Sequence, residues 1–188
     1  MSENLRVKSS QFIDETTRVS FKFNGSTYYG FKGETLASAL LANNVHLIGR
    51  SFKYHRPRGI MTSGSEEPNA IVQINPNTNR TEPNVRATEV EIYEGMEASS
   101  QNCWPSVNFD IGGINNFLSP FFPAGFYYKT FMWPASFWEK YEYFIRHSAG
   151  LGKSPTLKDP DIYDHRNIHC DVLVAVSYTH LTLPTTPY

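Results

Sequence analysis

From Arg18 to Phe23 the chain alternates, with Val19, Phe21 and Phe23 apolar and Ser20 and Lys22 polar between them. A period of two marks a strand with one face toward a core and the other toward water. Asn24-Gly25 follows, a pair that accepts the positive φ angles of a type I′ turn, and "STYYGF" supplies a return strand. The pattern therefore predicts a β-hairpin. After Gly33 the period changes. Leu36, Ala39, Leu40 and Asn43 recur at helical spacing, with Glu34 or Thr35 near the start and Asn43-Asn44 at the end. "VHLIG" then reads as a brief strand, a loop runs from Gly49 to about Pro68, and "AIVQI" and "TEVEIY" supply two further strands.

Hairpin, helix and further strands within residues 18–97 predict an α+β fold, one helix packed on a mixed sheet in the order of a ubiquitin-like β-grasp domain. That architecture often carries plant-type ferredoxin clusters and as often serves as a plain scaffold. Residues 1–17 are then an N-terminal arm. From residue 98 the chain turns to proline, glycine and aromatic residues, as in "WPSVNFDIGGINNFLSPFFPAGFYYKTFMWP". Such a segment is too apolar for a free linker and too broken by proline for one long element. Residues 98–169 are expected to form an aromatic-rich connecting arm with a helix near 135–148. Phe137, Trp138, Tyr141, Phe144 and Ile145 make the apolar stripe of that helix, which by its pattern is core or interface rather than a cofactor box. Residues 170–175 read as the buried first strand of a dinucleotide-binding unit, yet no Gly-x-Gly-x-x-Gly turn follows.

With 188 residues the chain holds one sizeable core, or a small domain and the beginning of another. A net charge of −1 gives no field to gather nucleic acid or an anionic membrane over the whole molecule. The first residues contain neither a signal-peptide pattern nor a membrane span, so a cytoplasmic chain without membrane contact is expected. Cys103 and Cys170 are too few and too far apart for a disulfide framework or a zinc site.

Candidate chemistry concentrates in "GRSFKYHRPRGIMTSGSEEPNA", Gly49 to Ala70. In a ferredoxin-like domain the cluster loop follows the helix and its short strand, and needs cysteines at spacings such as C-x4-C-x2-C. This loop has none, so no iron-sulfur cluster is expected. In place of thiols stand Arg50, Lys53, His55, Arg56 and Arg58, interleaved with Phe52 and Tyr54. They could contact a small anion or nucleotide. They could equally form an ion-paired structural loop that docks on another domain or subunit, with Glu66 and Glu67 close by in sequence. Nucleic acid is disfavoured, because phosphate binding draws on more cations than one loop supplies. His165 and His169 could chelate a metal only on a helix, and their segment leads into a strand, so no metal site is assigned. No catalytic set of Ser, His and Asp or of paired carboxylates stands out.

Four long stretches, "FKGETLASALLANNVHLIGRSFKYHRPRGI", "EEPNAIVQI", "RTEPNVRATEVEIYEGMEASSQNCWPS" and "SPFFPAGFYYKTFMWPASFWEK", together resemble the N-terminal region of the alpha subunit of heterotetrameric sarcosine oxidase. The resemblance implies a β-grasp domain without its cluster, leading into an NAD-binding Rossmann domain and then a folate-binding domain. It also implies an enzyme that oxidises sarcosine to glycine, hydrogen peroxide and formaldehyde, or methylenetetrahydrofolate when tetrahydrofolate is present. FAD, FMN, NAD and tetrahydrofolate would belong to the intact complex with its beta, gamma and delta subunits, and none is expected on residues 1–188 alone. Related amine dehydrogenases and cyanide synthases use similar modules, often with the cysteines kept. A stand-alone β-grasp binding module is the reading from another class. The likeness stops near Val176. "VSYTHLTLPT" can be encoded by a transposase-type sequencing-library adapter read in frame, so residues 176–188 are expected to be a non-native tail.

Overall fold

The computed structural model describes residues 13–121, 133–148, 150–167, 169 and 171–172 of the chain. The hairpin forms where the alternation and Asn24-Gly25 place it. β1 (Asp14–Phe23) and β2 (Ser26–Lys32) run antiparallel, with Phe23 opposite Ser26. Asn24 and Gly25 take φ angles of 50° and 80°, the left-handed pair of a type I′ turn, which Asn and Gly adopt at least cost. β1 takes in Asp14 to Thr17, residues given above to the N-terminal arm, and there Asp14 accepts from the Thr16 N–H and from the hydroxyls of Thr16 and Thr17.

Helix α1 (Leu36–Ala42) starts on Thr35, whose hydroxyl accepts from the Ser38 N–H at 3.2 Å. Its spacing buries Leu36, Ala37, Ala39 and Leu40. Two N–H groups that the first turn leaves without helical partners are met from a distant segment. Leu36 donates to the Val90 carbonyl and Ala37 to the Ala87 carbonyl, each at 2.8 Å.

Those bonds explain a correction. "TEVEIY" is not a strand: Thr88 and Glu89 lie in a turn, Glu91 makes an isolated antiparallel bridge to Thr35, and Ile92 is buried in the core. The backbone of this segment serves the helix start, so the alternating Val90 and Ile92 mark burial without a ladder. After β3 (Gly49–Arg50), β4 (Pro57–Arg58) and β5 (Ile71–Ile74), the remaining strands are β6 (Glu82–Arg86) and β7 (Met96–Ser100). β6 accommodates Pro83 because it is an edge strand. β7 extends past residue 97 and buries Met96 and Ala98.

The main sheet has the order β2-β1-β7-β5-β6, with β7 parallel to β1 and antiparallel to β5, while β3 and β4 form a separate two-stranded ladder. This is an α+β fold with a mixed sheet. Phe21, Leu36, Leu40, Ile48, Val72, Ile92 and Met96, none more than 2% exposed, fill the layer between sheet and helix. Burial of such side chains stabilises by roughly 1.5–3 kcal/mol each before the entropy of ordering is set against it.

Beyond β7 the chain makes a single helical turn, α2 (Ile114–Phe117), and an eleven-residue helix, α3 (Trp138–Ser148), where the sequence pattern places one. Phe137 and Trp138 of the expected stripe are exposed, Tyr141 and Ile145 are partly buried, and the Phe144 side chain lies outside the described set. Residues 150–163 then lie against β5 and β6. Gln73 exchanges hydrogen bonds with the Lys153 backbone at 3.2 and 3.3 Å, Gly152 N–H donates to Asn84 at 3.0 Å, and Arg80 pairs with Asp161 at 2.8 Å. Of the expected Rossmann strand 170–175 only Asp171 and Val172 are described, a bend and an exposed residue, and residues 176–188 lie wholly outside the described residues. Among the described residues no helix is long and apolar enough to cross a membrane.

Candidate functional site

The basic stretch Arg50–Arg58 is the connection between β3 and β4, and Arg50 pairs with Pro57 in the ladder. Ser51 organises the turn. Its N–H donates to the Arg56 carbonyl, its carbonyl accepts from His55, and its hydroxyl accepts from the Arg56 N–H, at 2.9, 3.0 and 2.9 Å. His55 sits at φ 52°, a left-handed conformation that Asn, Asp and His adopt more readily than other side chains.

The five basic residues divide into two sets. Arg50 and His55 turn inward and hold the segment after β7. The Arg50 guanidinium closes on the Val107 carbonyl with two donors, Nε at 2.8 Å and Nη2 at 2.6 Å, and also reaches the His55 carbonyl at 3.3 Å. His55 Nδ1 faces Asp110 Oδ2 at 2.7 Å, with the Asp110 side chain only 1% exposed. Asp110 Oδ1 accepts from the Trp104 and Gly112 N–H groups at 3.0 and 3.1 Å, so both oxygens of this carboxylate are occupied. Asn102 Nδ2 donates to the Ser51 carbonyl at 2.8 Å. Residues 102–112 are thereby locked onto the β3–β4 connection.

Lys53, Arg56 and Arg58 form the outer set. The Lys53 and Arg56 charges lie 5.0 and 4.9 Å from the centroid of the Tyr54 ring, within cation–π range. Arg56 Nε also donates to Asn116 Oδ1 at 3.0 Å. Arg58 is exposed on β4. Two of the five residues, Arg50 and His55, thus serve internal order, while Arg56 and Arg58 are exposed and Lys53 is half-buried. Sequence reasoning found the cations but missed Val107, Asp110 and Asn116, their partners. Nothing in the local pattern pairs residues more than fifty positions apart.

Cys103 is partly buried beside this cluster. Burial pushes its thiol above the ordinary value and the Asp110 charge adds to that, against a smaller opposing effect of Arg50. A thiol so placed stays protonated at neutral pH and is a poor nucleophile or metal ligand. Asp164 and His165 lie in an extended stretch without helical turns, so the spacing that chelation by His165 and His169 would need is not formed, and Cys170 lies outside the described residues. Among the described residues there is no grouping of three His, Cys, Asp or Glu side chains suited to a metal ion.

A family model described as "2Fe-2S iron-sulfur cluster binding domain" matches residues 16–103. Sarcosine oxidase subunit alpha of Rhizobium meliloti (strain 1021) is 58% identical over 170 residues, which cover 90% of this chain and 17% of that protein. Sarcosine oxidase subunit alpha of Corynebacterium sp. (strain U-96) is 27% identical over 180 residues, covering 93% of this chain and 14% of its own length. The chain thus spans less than a fifth of the length of these curated relatives. The crystal structure of L-proline dehydrogenase from P. horikoshii superposes on 50% of this chain and 17% of its own, with a TM-score of 0.39 and 24% identity.

The donor set does not fit the cluster that the family description names. A 2Fe-2S centre is held by four thiolates, or by two thiolates and two imidazoles. Residues 49–70 contain no cysteine, and of the two in the whole sequence, too few for four thiolates, Cys103 is held toward the protonated thiol by burial and the Asp110 charge, so a pair of thiolates for the mixed set is not offered either.

Proposed function

We propose that this chain, homologous along nine-tenths of its length to a segment of sarcosine oxidase alpha subunits, is a scaffolding part of a multi-subunit flavin- and NAD-containing oxidoreductase. That enzyme oxidatively demethylates sarcosine: with water and dioxygen the products are glycine, formaldehyde and hydrogen peroxide, or methylenetetrahydrofolate in place of formaldehyde when tetrahydrofolate is present. The identity of 58% over 170 residues carries the reading. One observation supports a structural role for this segment: Arg50 and His55 of the β3–β4 connection are occupied in holding Val107 and Asp110 of its own chain. Residues 170–175 would open the NAD-binding domain. FAD, FMN, NAD and tetrahydrofolate would be held by other parts of a cytoplasmic assembly with beta, gamma and delta subunits.

The test is a chimera in which this chain replaces the matching segment of the Rhizobium meliloti alpha subunit, assembled with its partner subunits. Sarcosine-dependent peroxide formation within a few-fold of the parent is expected, while the isolated chain should bind no flavin and turn over no sarcosine. Turnover by the isolated chain, or a chimera that assembles fully yet is inactive, overturns the reading.

Of the five basic residues, Arg58 is the best candidate for a subunit contact, because it is exposed and no hydrogen bond or ion pair of its side chain is found among the described residues. Arg58→Glu in the assembled chimera is expected to weaken subunit association at low salt and to lose that effect as ionic strength rises, since exposed charges are screened. Analytical ultracentrifugation across a salt series reads it. Unchanged association at low salt removes Arg58 from the interface.

A further inference from the structure

Between β4 and β5 the chain runs from Gly59 to Ala70 with turns but no helix or strand. Fixing a segment of this kind costs conformational entropy that some set of contacts must offset. Here the contacts converge on one side chain. Glu67 is 1% exposed. Its Oε1 accepts from the Asn69 and Ala70 N–H groups at 2.7 and 3.1 Å. Its Oε2 accepts from the Met61 and Thr62 N–H groups at 2.8 and 2.6 Å and from the Thr62 hydroxyl at 3.2 Å. One carboxylate thus ties residues 61–62 to residues 69–70, the two ends of the loop.

Among the described residues no Lys, Arg or His side chain pairs with this carboxylate. Arg86, on β6, donates to the Glu67 backbone carbonyl at 3.2 Å and pairs with Glu89 at 3.3 Å, and neighbouring Glu66 is exposed. The stabilisation comes instead from backbone N–H groups turned toward one buried negative charge. Concavities lined by successive N–H groups are the backbone arrangement found at phosphate and iron-sulfur sites. The loop therefore has the electrostatics of an anion site with the anion supplied by its own sequence.

We infer that the Glu67 carboxylate replaces a metal cluster as the anion around which the loop between β4 and β5 is ordered. The domain keeps the fold of a cluster-binding family, and the ordering role that thiolates and metal would play passes to one side chain. Burial by itself pushes the Glu67 carboxyl up, but the N–H groups of Thr62, Asn69, Met61 and Ala70 outweigh it and hold the group below the ordinary glutamate value. A folded value below the unfolded one means that this contribution is complete above the ordinary glutamate range, and is lost as pH falls through the folded value. Of the charged groups nearby, Glu66 is exposed and Arg86 pairs with Glu89, and the four N–H groups donate to Glu67.

Hydrogen exchange resolved by residue tests this in the 188-residue protein and in Glu67→Gln. Loss of the charge should speed exchange of the Met61, Thr62, Asn69 and Ala70 amides by about tenfold or more, with the Phe21 and Val72 amides of β1 and β5 unchanged. If the variant does not fold, acidification of the parent decides the matter. The same four amides should lose protection at a higher pH than those of β1 and β5. Reconstitution with ferrous iron and sulfide under reducing, oxygen-free conditions should leave no stoichiometric iron or sulfide on the parent. Parent-like protection of the four amides in a folded Glu67→Gln, their loss only together with global unfolding in acid, or a stoichiometric cluster after reconstitution overturns the inference.

Discussion

Replacing Asp110 by alanine is expected to release residues 104–112 from the β3–β4 connection and to cost about 2–5 kcal/mol, the sum of the buried hydrogen-bonding groups it leaves without a partner. The Asp110 side chain is 1% exposed and that of His55 is 13% exposed, so water can replace little of what is lost. Alanine leaves the Trp104 and Gly112 N–H groups without their acceptor, at about 1–3 kcal/mol for each that stays buried, and leaves His55 Nδ1 facing a void. Asp110→Asn should cost less, about 1 kcal/mol, because the amide oxygen can still accept both N–H groups. Its NH2 would then face His55, and a neutral imidazole can accept there by changing tautomer. Urea unfolding followed by the fluorescence of exposed Trp104, together with limited proteolysis across residues 104–112, distinguishes the two variants. An alanine variant within about 0.5 kcal/mol of the parent, with this segment equally resistant to protease, would show that Asp110 is not what holds it.

The parts of the fold that the sequence displays are those set by neighbours along the chain. Asn24-Gly25 imposes its turn and the alternation of Val19, Phe21 and Phe23 imposes its strand, and both appear at the expected positions. The Thr35 cap and the spacing of Leu36 and Leu40 likewise depend on contacts within one helical turn. "TEVEIY" misleads because its backbone partners, Leu36 on the Val90 carbonyl and Glu34 on the Ile92 N–H, lie more than fifty residues earlier. β7 escapes notice for the opposite reason: "MEASS" has little strand propensity, and it pairs because Met96 and Ala98 find buried places between β1 and β5. The same division runs through the candidate site. The cations of Arg50–Arg58 are plain in the sequence, whereas Asp110, 55 residues after His55, becomes their partner only in the folded chain. Glu67 is visible as an acidic residue, but a nest of backbone N–H groups has no residue signature.

Gly30→Val is expected to destabilise the domain by about 3 kcal/mol, through overpacking between β2 and α1. Gly30 lies opposite Val19 in the hairpin and is buried beneath the helix. A Cβ at this position would come within 2.4 Å of Ile92 Cδ1, 2.7 Å of Glu34 Oε2 and 3.2 Å of Ala39 Cβ. Ile92 can rotate its terminal methyl, but Ala39 can retreat only by moving α1, and both lie in the core that the helix closes. Two effects oppose the clash: valine's strand propensity, up to about 1 kcal/mol, and the reduced freedom of the unfolded chain, about 0.4–1 kcal/mol. Neither restores the space that two further methyl groups need, so the packing cost wins, and Gly30→Ala should fall between parent and valine. Gly25 provides the control. A Cβ there meets nothing within 4 Å, yet φ is +80°, so Gly25→Ala should cost about 1 kcal/mol through backbone conformation alone. Denaturant midpoints of the three variants should therefore rank Gly25→Ala and Gly30→Ala above Gly30→Val. A Gly30→Val protein as stable as the parent would mean that α1 is free to move off the sheet, which the bonds from Leu36 and Ala37 to residues 87–90 argue against.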